Sequence, residues 1–243
     1  MDHEKQYTEG IHLEKHSKEG RFDNFWYHYK WPTIGIVIFL LIFGICIAQS
    51  CSREEEDILL LYAGSAHMSA TEKEGVHEAL TAAMPYDLNG DGKRILTLVT
   101  YNVYSAEQIA AILAENSDAT FDTARNSSEY SSYQSHITKG EGAIYFLDPW
   151  LYESLRKDSN QPLQKLSDVF SELPKGALED GYGVRLGDTD LYERYEVLKS
   201  LPPDTVVCFS RPYVMGKISK DKYYRREKEM LAALLGAPLK EME

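Results

Sequence analysis

The chain has 243 residues and a formal net charge of −12 at pH 7. A surface this acidic repels nucleic acid and anionic headgroups, so nucleic acid is not an expected partner. The chain has three cysteines, Cys46, Cys51 and Cys208. They are not an even-numbered, spaced set and contain no C-x-x-C motif, which argues against a disulfide framework and against a zinc site.

Residues 31–50 form an apolar run that contains no charged side chain. About twenty residues at roughly 1.5 Å rise each cover the ~30 Å hydrocarbon core of a bilayer, so the run predicts one transmembrane helix. Lys and Arg residues near the run are concentrated on its N-terminal side. By the positive-inside rule, residues 1–30 are then a cytoplasmic tail of a single-pass cell-membrane protein, and its C-terminal part lies outside.

Two alternatives to a retained helix stay open. A cleaved signal peptide has a shorter apolar region and a shorter charged leader than this chain provides. A lipoprotein signal would place a lipid on Cys51, although Ala48 stands where such a signal has a large aliphatic residue.

Residues 51–57 are interpreted as an acidic spacer, and residues 58–243 are long enough for one extracytoplasmic domain with its own core. Continuous apolar runs indicate strands that are covered on both faces in a parallel sheet. Such runs lie at residues 58–63, 95–103, 143–147 and 205–209. Helices predicted between these strands imply right-handed crossovers, and hence a three-layer α/β domain with a mainly parallel sheet.

Helix boundaries are predicted from local signals. The spacing at residues 71–74 is that of a capping box opening a helix that ends near residue 84, and residues 105–108 repeat the signal. Residues 221–235 form a last helix, which Gly236 and Pro238 terminate. Between residues 157 and 203, we expect a helix at 163–170, a short edge strand at 183–186 and a second helix at 190–200.

The segment DLNGDGK at residues 87–93 begins like an EF-hand calcium loop. Asp87, Asn89 and Asp91 supply oxygen side chains at loop positions 1, 3 and 5, Gly92 allows the tight bend, and Lys93 would give its backbone carbonyl. Loop positions 9 and 12 are apolar, so a distant carboxylate would have to complete the shell. Calcium is the one cofactor that this pattern suggests, and a turn without metal is the alternative reading.

Asp148 follows a predicted buried strand at the carboxyl end of the sheet, where ligands bind in open α/β folds. Trp150 and Tyr152 would offer a stacking face to a sugar or a peptide. The alternative is that Asp148 and Pro149 only begin the next helix, with Trp150 packed against the sheet.

No catalytic motif is found: G-x-S-x-G, the P-loop, G-x-G-x-x-G and H-E-x-x-H are all missing from the sequence. A non-enzymatic binding module is therefore expected. A structural or signalling subunit is the second hypothesis, and an envelope hydrolase that uses Asp87 and Asp148 is the third.

The pattern of a long helix, a Gly-Glu-Gly turn and the strand AIYFLD resembles extracellular solute-binding proteins of the type 2 periplasmic-binding fold. The layout of FWYHYKW, DLNGDGK and GAIYFLD is similar to uncharacterised single-pass membrane proteins of Gram-positive bacteria. This resemblance implies a tethered domain that binds a small molecule, a wall component or a partner protein. The domain has room for about one lobe of a bilobed binding protein, so the resemblance does not extend to hinge closure.

Overall fold

The computed structural model describes residues 18–51, 55–115, 120–212 and 221–240. The chain divides into two compact units, Met1–Glu54 and Glu55–Glu243. Within them the helices are α1 Lys18–Cys51, α2 Ala70–Ala82, α3 Ala106–Glu115, α4 Thr123–Lys139, α5 Pro149–Arg156, α6 Asp190–Arg194 and α7 Asp221–Leu235. The strands are β1 Ile58–Gly64, β2 Leu96–Asn102, β3 Ile144–Leu147, β4 Gly183–Arg185 and β5 Val206–Phe209.

Helix α1 contains one stretch, Tyr29–Ile47, that is long and apolar enough to cross a membrane, and none of it is buried. A signal sequence near the N-terminus passes the same test. The predicted apolar helix is therefore confirmed. Residues 1–17 of the expected tail, residues 52–54 of the expected spacer and the side chain of Cys51 lie outside the described part of the chain.

The second unit is built on a five-stranded sheet with the order β2-β1-β3-β5-β4. Strand β1 pairs in parallel with β2 and with β3, whereas β5 is antiparallel to both of its neighbours. Four strands thus point the same way and one runs against them. The prediction of a mainly parallel sheet is confirmed, with the strand at residues 206–209 as the exception.

The side chains of β1 alternate between the two faces of the sheet, as the period of a strand requires. Tyr62 packs on one face with α2 and α7, and Leu61 packs on the other face with α4 and α5. Apolar residues fill both interfaces, because each helix presents a stripe of them to the sheet. The unit therefore has the three layers expected from the sequence.

Strand β2 departs from the prediction of full burial. It forms one edge of the sheet, and after Leu96 its residues are only half-buried. An edge strand lacks a neighbour on one side, so its apolar side chains are covered less than those of β1 or β3.

Other boundaries also shift. The capping box of α2 uses Ser69 and Glu72, two positions before the predicted one, whereas Ser105 and Gln108 bond to each other's backbone N–H as predicted. The helix expected at residues 163–170 is a single 3-10 turn, and α6 stops at Arg194 before a second such turn. The edge strand β4 and the end of α7 before Gly236 agree with the sequence analysis.

Candidate functional site

The carboxyl ends of β1, β2 and β3 form the edge of the sheet where its connections diverge. The connection from β1 through α2 leads to β2 on one side of β1, and the connection through α3 and α4 leads back past β1 to β3. Because α2, which follows β1, and α5, which follows β3, cover opposite faces, the loops that leave β1 and β3 separate there. Such a topological switch point leaves a crevice in which open α/β sheets bind their ligands.

A polar cluster occupies this switch point. Ser65 directly follows β1 and Asp148 directly follows β3, so the parallel pairing of the two strands brings their side chains together. The Ser65 hydroxyl lies 3.4 Å from Oδ2 of Asp148. Gln108 of α3 reaches the same place, and its Nε2 donates to Oδ2 of Asp148 at 2.8 Å and lies 3.4 Å from Oγ of Ser65. Three segments that are distant in sequence thus meet on one carboxylate.

Tyr62 and Gly64 form the floor beside this cluster. The Tyr62 hydroxyl accepts a hydrogen bond from the Ala66 N–H at 3.1 Å. A Cβ at Gly64 would lie 2.7 Å from Oη of Tyr62 and 3.2 Å from Cβ of Asp148, so only glycine fits without a shift. Burial raises the pKa of Tyr62, and the nearby Asp148 carboxylate adds to the increase. The phenol is therefore neutral at physiological pH.

Helix α3 meets the polar cluster through its first turn and is otherwise weakly attached. None of its residues is buried, although its sequence is rich in Ala, Ile and Leu. Ile112 and Leu113 are 37 % and 40 % exposed. In the residues that the structure describes, Gln108 is the side chain of α3 that bonds to the sheet end of the domain.

Two hollows open near the N-terminal end of α3. The smaller, about 140 Å³, is bounded by His67, Asn102, Tyr104, Phe121, Asp122, Arg125 and Asn126. The larger, about 410 Å³, lies beside Trp150 and the first turn of α3. Tyr104 and Asn126 line both hollows, because the Asn126 side chain bonds to the backbone N–H and the carbonyl of Tyr104.

The smaller hollow is fitted for polar and aromatic contact. Tyr104 and Phe121 pack edge to face with ring centroids 5.3 Å apart. Arg125 is exposed, and Asp122 begins α4 by accepting from the Arg125 backbone N–H at 2.9 Å. The hollow can therefore offer a guanidinium, a carboxylate and an aromatic wall to one small molecule.

The structure separates the three residues predicted to bind a ligand. Asp148 is 9 % exposed and begins α5, with Oδ1 accepting from the Trp150 N–H at 3.3 Å. Trp150 is half-buried, stacks on Tyr130 with ring centroids 6.0 Å apart and lines the larger hollow. Tyr152 is only 2 % exposed, and its hydroxyl donates to the Asp180 carboxylate, so it presents no stacking face at the crevice. Asp148 also begins its helix, as the alternative reading predicted.

The predicted calcium loop directly precedes β2. It therefore lies at the amino ends of the parallel strands, opposite the carboxyl ends where Asp148 lies. Both carboxylate oxygens of Asp87 accept backbone N–H groups of the loop, and the bond from Gly92 is the largest cause of the lowered pKa of Asp87. Asn89 and Asp91 accept from the N–H groups two residues onward, the latter from Lys93.

The buried carboxylate of Asp57 also lies against this loop and accepts from the Asn89 N–H at 2.6 Å. Within the described ranges no three Asp, Glu, His or Cys side chains are grouped to hold a metal ion. Calcium binding stays a prediction. Asp87 lies at the amino ends of the parallel strands and Asp148 lies at their carboxyl ends. The two residues therefore do not form the carboxylate pair that the hydrolase hypothesis requires.

Sequence reasoning identified Asp148 but missed Gln108, Asn102 and Arg125 as parts of this region. The usable signal was position: Asn102 is the next-to-last residue of the strand predicted at residues 95–103, whose carboxyl end lies on the same side of the sheet as Asp148. Comparison of the chain with protein-family models, with curated proteins and with solved structures finds no match.

Proposed function

We propose that this protein is a membrane-tethered binding module whose second unit takes a small molecule in the crevice at the carboxyl ends of β1, β2 and β3. The observation that carries this proposal is the convergence of Ser65, Gln108 and Asp148 at the switch point, beside two hollows. The likeness to one lobe of a type 2 periplasmic binding protein belongs to this proposal. A single sheet with its crevice at one edge supports it.

Thermal unfolding of residues 55–243 with a panel of amines, sugars, amino acids and wall fragments tests this proposal. A ligand at a hundred times its Kd adds about 2.7 kcal/mol of stability. At roughly 2–4 °C per kcal/mol for a domain of this size, the midpoint rises by about 5–11 °C. Arg125→Ala, in an exposed side chain of the smaller hollow, should reduce the shift, whereas Arg194→Ala, at an exposed position away from both hollows, should not. A panel without any shift contradicts the binding function.

The proposed orientation places residues 1–30 in the cytoplasm and the second unit outside. The excess of Lys and Arg on the N-terminal side of the apolar run supports this orientation. Protease added to intact cells should then degrade the second unit and leave the N-terminal segment protected. Protection of both parts would overturn the orientation, and release of the second unit without detergent would indicate a cleaved signal sequence.

A structural or signalling subunit is the second candidate, because the exposed apolar residues of α3 are typical of a surface that meets another protein. Substituting Ile112 and Leu113 with serine tests it. Loss of a co-purifying membrane partner, with the crevice still binding its ligand, would assign α3 to protein contact.

A further inference from the structure

We propose that the crevice takes a small molecule with a protonated amine, and that Gln108 is an internal stand-in for that amine on Asp148. This inference rests on the proposed function and names the ligand class of the same site. Asp148 as a residue is 9 % exposed, yet every donor that reaches its carboxylate is neutral. These donors are the Gln108 amide at 2.8 Å, the Ser65 hydroxyl at 3.4 Å and the Trp150 N–H at 3.3 Å.

A carboxylate at this depth is costly to desolvate unless a cation or several hydrogen bonds compensate it. In the part of the chain that the structure describes, no Lys, Arg or His lies within ion-pair distance of Asp148. The carboxylates of Asp148 and Asp204 both act on neighbouring Tyr62. A positive group beside Asp148 would therefore lie near more than one acidic side chain.

An ammonium group suits the cluster better than the Gln108 amide does. It carries three donors on a single charged nitrogen, whereas the amide offers two neutral ones. Charge-assisted hydrogen bonds are about twice as strong as neutral ones. An amine at the position of Nε2 would donate to Asp148 and to Ser65 while neutralising the buried charge.

The Gln108 amide can leave Asp148 if the first turn of α3 moves as a unit. The Gln108 side chain also contributes Oε1 to the capping box, where it accepts from the Ser105 N–H at 2.8 Å. Since no residue of α3 is buried, moving its first turn breaks few other contacts. The first turn borders the larger hollow, so its displacement gives that hollow access to Asp148.

The size of the site also limits the ligand. The larger hollow, which the displaced first turn would join to Asp148, measures about 410 Å³, near the lower end of the roughly 300–1,000 Å³ of typical ligand pockets. The rings of Tyr104 and Trp150 line this hollow, so they are placed to meet the remainder of a short amine. The crevice is thus suited to an amine with few heavy atoms in its bound part.

The test uses the full-length protein in detergent micelles and three probes of similar size: ethanolamine, ethylene glycol and glycolate. Binding is measured by isothermal titration and thermal unfolding for the wild type, Gln108→Ala, Ser65→Ala and Asp148→Asn. Gln134→Ala, a glutamine change at an exposed position of α4, is the matched control. Asp148→Asn keeps a residue that begins helices well, and circular dichroism checks that each variant is folded.

We expect only ethanolamine to bind the wild type, and Gln108→Ala to bind it several-fold more tightly because the internal competitor is gone. Asp148→Asn should lose at least ten-fold in affinity, Ser65→Ala less, and Gln134→Ala nothing. Amide hydrogens of α3 should exchange faster with ethanolamine present in the wild type. Equal binding of the three probes, or an unchanged affinity in folded Gln108→Ala, overturns the inference.

Failure of this inference can be told apart from failure of the proposed function. If ethanolamine does not bind but a sugar or an acid stabilises the domain through Arg125, the crevice is a binding site of another class and the inference is wrong. If no probe and no panel member binds the wild type or Gln108→Ala, both are wrong.

Discussion

Replacing Tyr152 with phenylalanine tests the account of the polar network under α5. The Tyr152 hydroxyl donates to the Asp180 carboxylate, whose Oδ1 and Oδ2 lie 2.8 and 2.7 Å from it, and Arg156 Nε donates to Oδ2 at 2.8 Å. Arg156 also lies 3.9 Å from the centre of the Tyr182 ring. Hydrogen bonds to charged groups contribute about 1.5–3 kcal/mol. Because Asp180 keeps Arg156 and the Tyr182 N–H, we expect Tyr152→Phe to lower the free energy of unfolding by about 1.5–2 kcal/mol.

Tyr86→Phe is the matched control, because the Tyr86 hydroxyl donates to the Glu229 carboxylate at the same 2.7 Å but the residue is 52 % exposed. Water replaces such an exposed bond, so the loss should be small. Urea unfolding of residues 55–243 measures both changes. At roughly 2–4 °C per kcal/mol, Tyr152→Phe should also lower the Tm by about 3–8 °C.

The pH dependence sharpens this prediction. Burial would raise the pKa of Asp180, but hydrogen bonds from Tyr152 and Arg156 outweigh it and hold the pKa below the ordinary 3.8. A lowered carboxyl pKa gives stability that is present above about pH 4 and is lost as the pH falls. The difference between wild type and Tyr152→Phe should therefore shrink below pH 3.8. Equal losses for the two tyrosine variants, or a difference that stays constant with pH, would refute the reasoning.

Three further changes probe other parts of the unit. Ser69→Ala removes the side chain that begins α2 and should cost about 1 kcal/mol by urea unfolding; an unchanged midpoint would mean that another group satisfies the free N–H. Burial lowers the pKa of His136, so wild-type stability should fall as the pH drops below about 6.5, and His136→Gln should flatten that slope; equal slopes would contradict it. If calcium binds the loop, millimolar calcium should raise the wild-type Tm but not that of Asp87→Ala, and magnesium should have less effect; equal shifts in the two proteins would reject Asp87 as a ligand.

The strands at the centre of the sheet were predictable because they are apolar on both faces. The run at residues 58–63 has no polar position, and in the structure every residue of β1 is buried. An apolar run carries no information about direction, so nothing in residues 205–209 predicts that β5 is antiparallel. Nor does composition distinguish an edge strand from a central one, which is why β2 was expected to be buried.

A site residue could be predicted from the sequence only where its place relative to a predicted strand was enough to identify it. Asp148 follows a buried strand, and the rule about carboxyl ends identified it. Gln108 has two roles, and only its capping role is local in sequence. Its amide nitrogen meets residues 40 and 43 positions away, a contact that depends on where α3 crosses the sheet. The burial of Tyr152 was not predicted, because the carboxylate that its hydroxyl meets belongs to Asp180, 28 positions farther along the chain.

The position of β3 between β1 and β5 has a consequence for synthesis. During translation, β1, β2 and β3 emerge long before β5. A growing chain that has passed Leu147 therefore still has unpaired backbone N–H and C=O groups on the side of β3 that later pairs with β5. The apolar face that α7 covers is also open until the last helix leaves the ribosome. The first gap closes when β5 pairs with β3, and the second closes when α7 docks. A chain interrupted before Val206 therefore presents an unpaired central strand to its neighbours, which makes premature termination a direct route to aggregation.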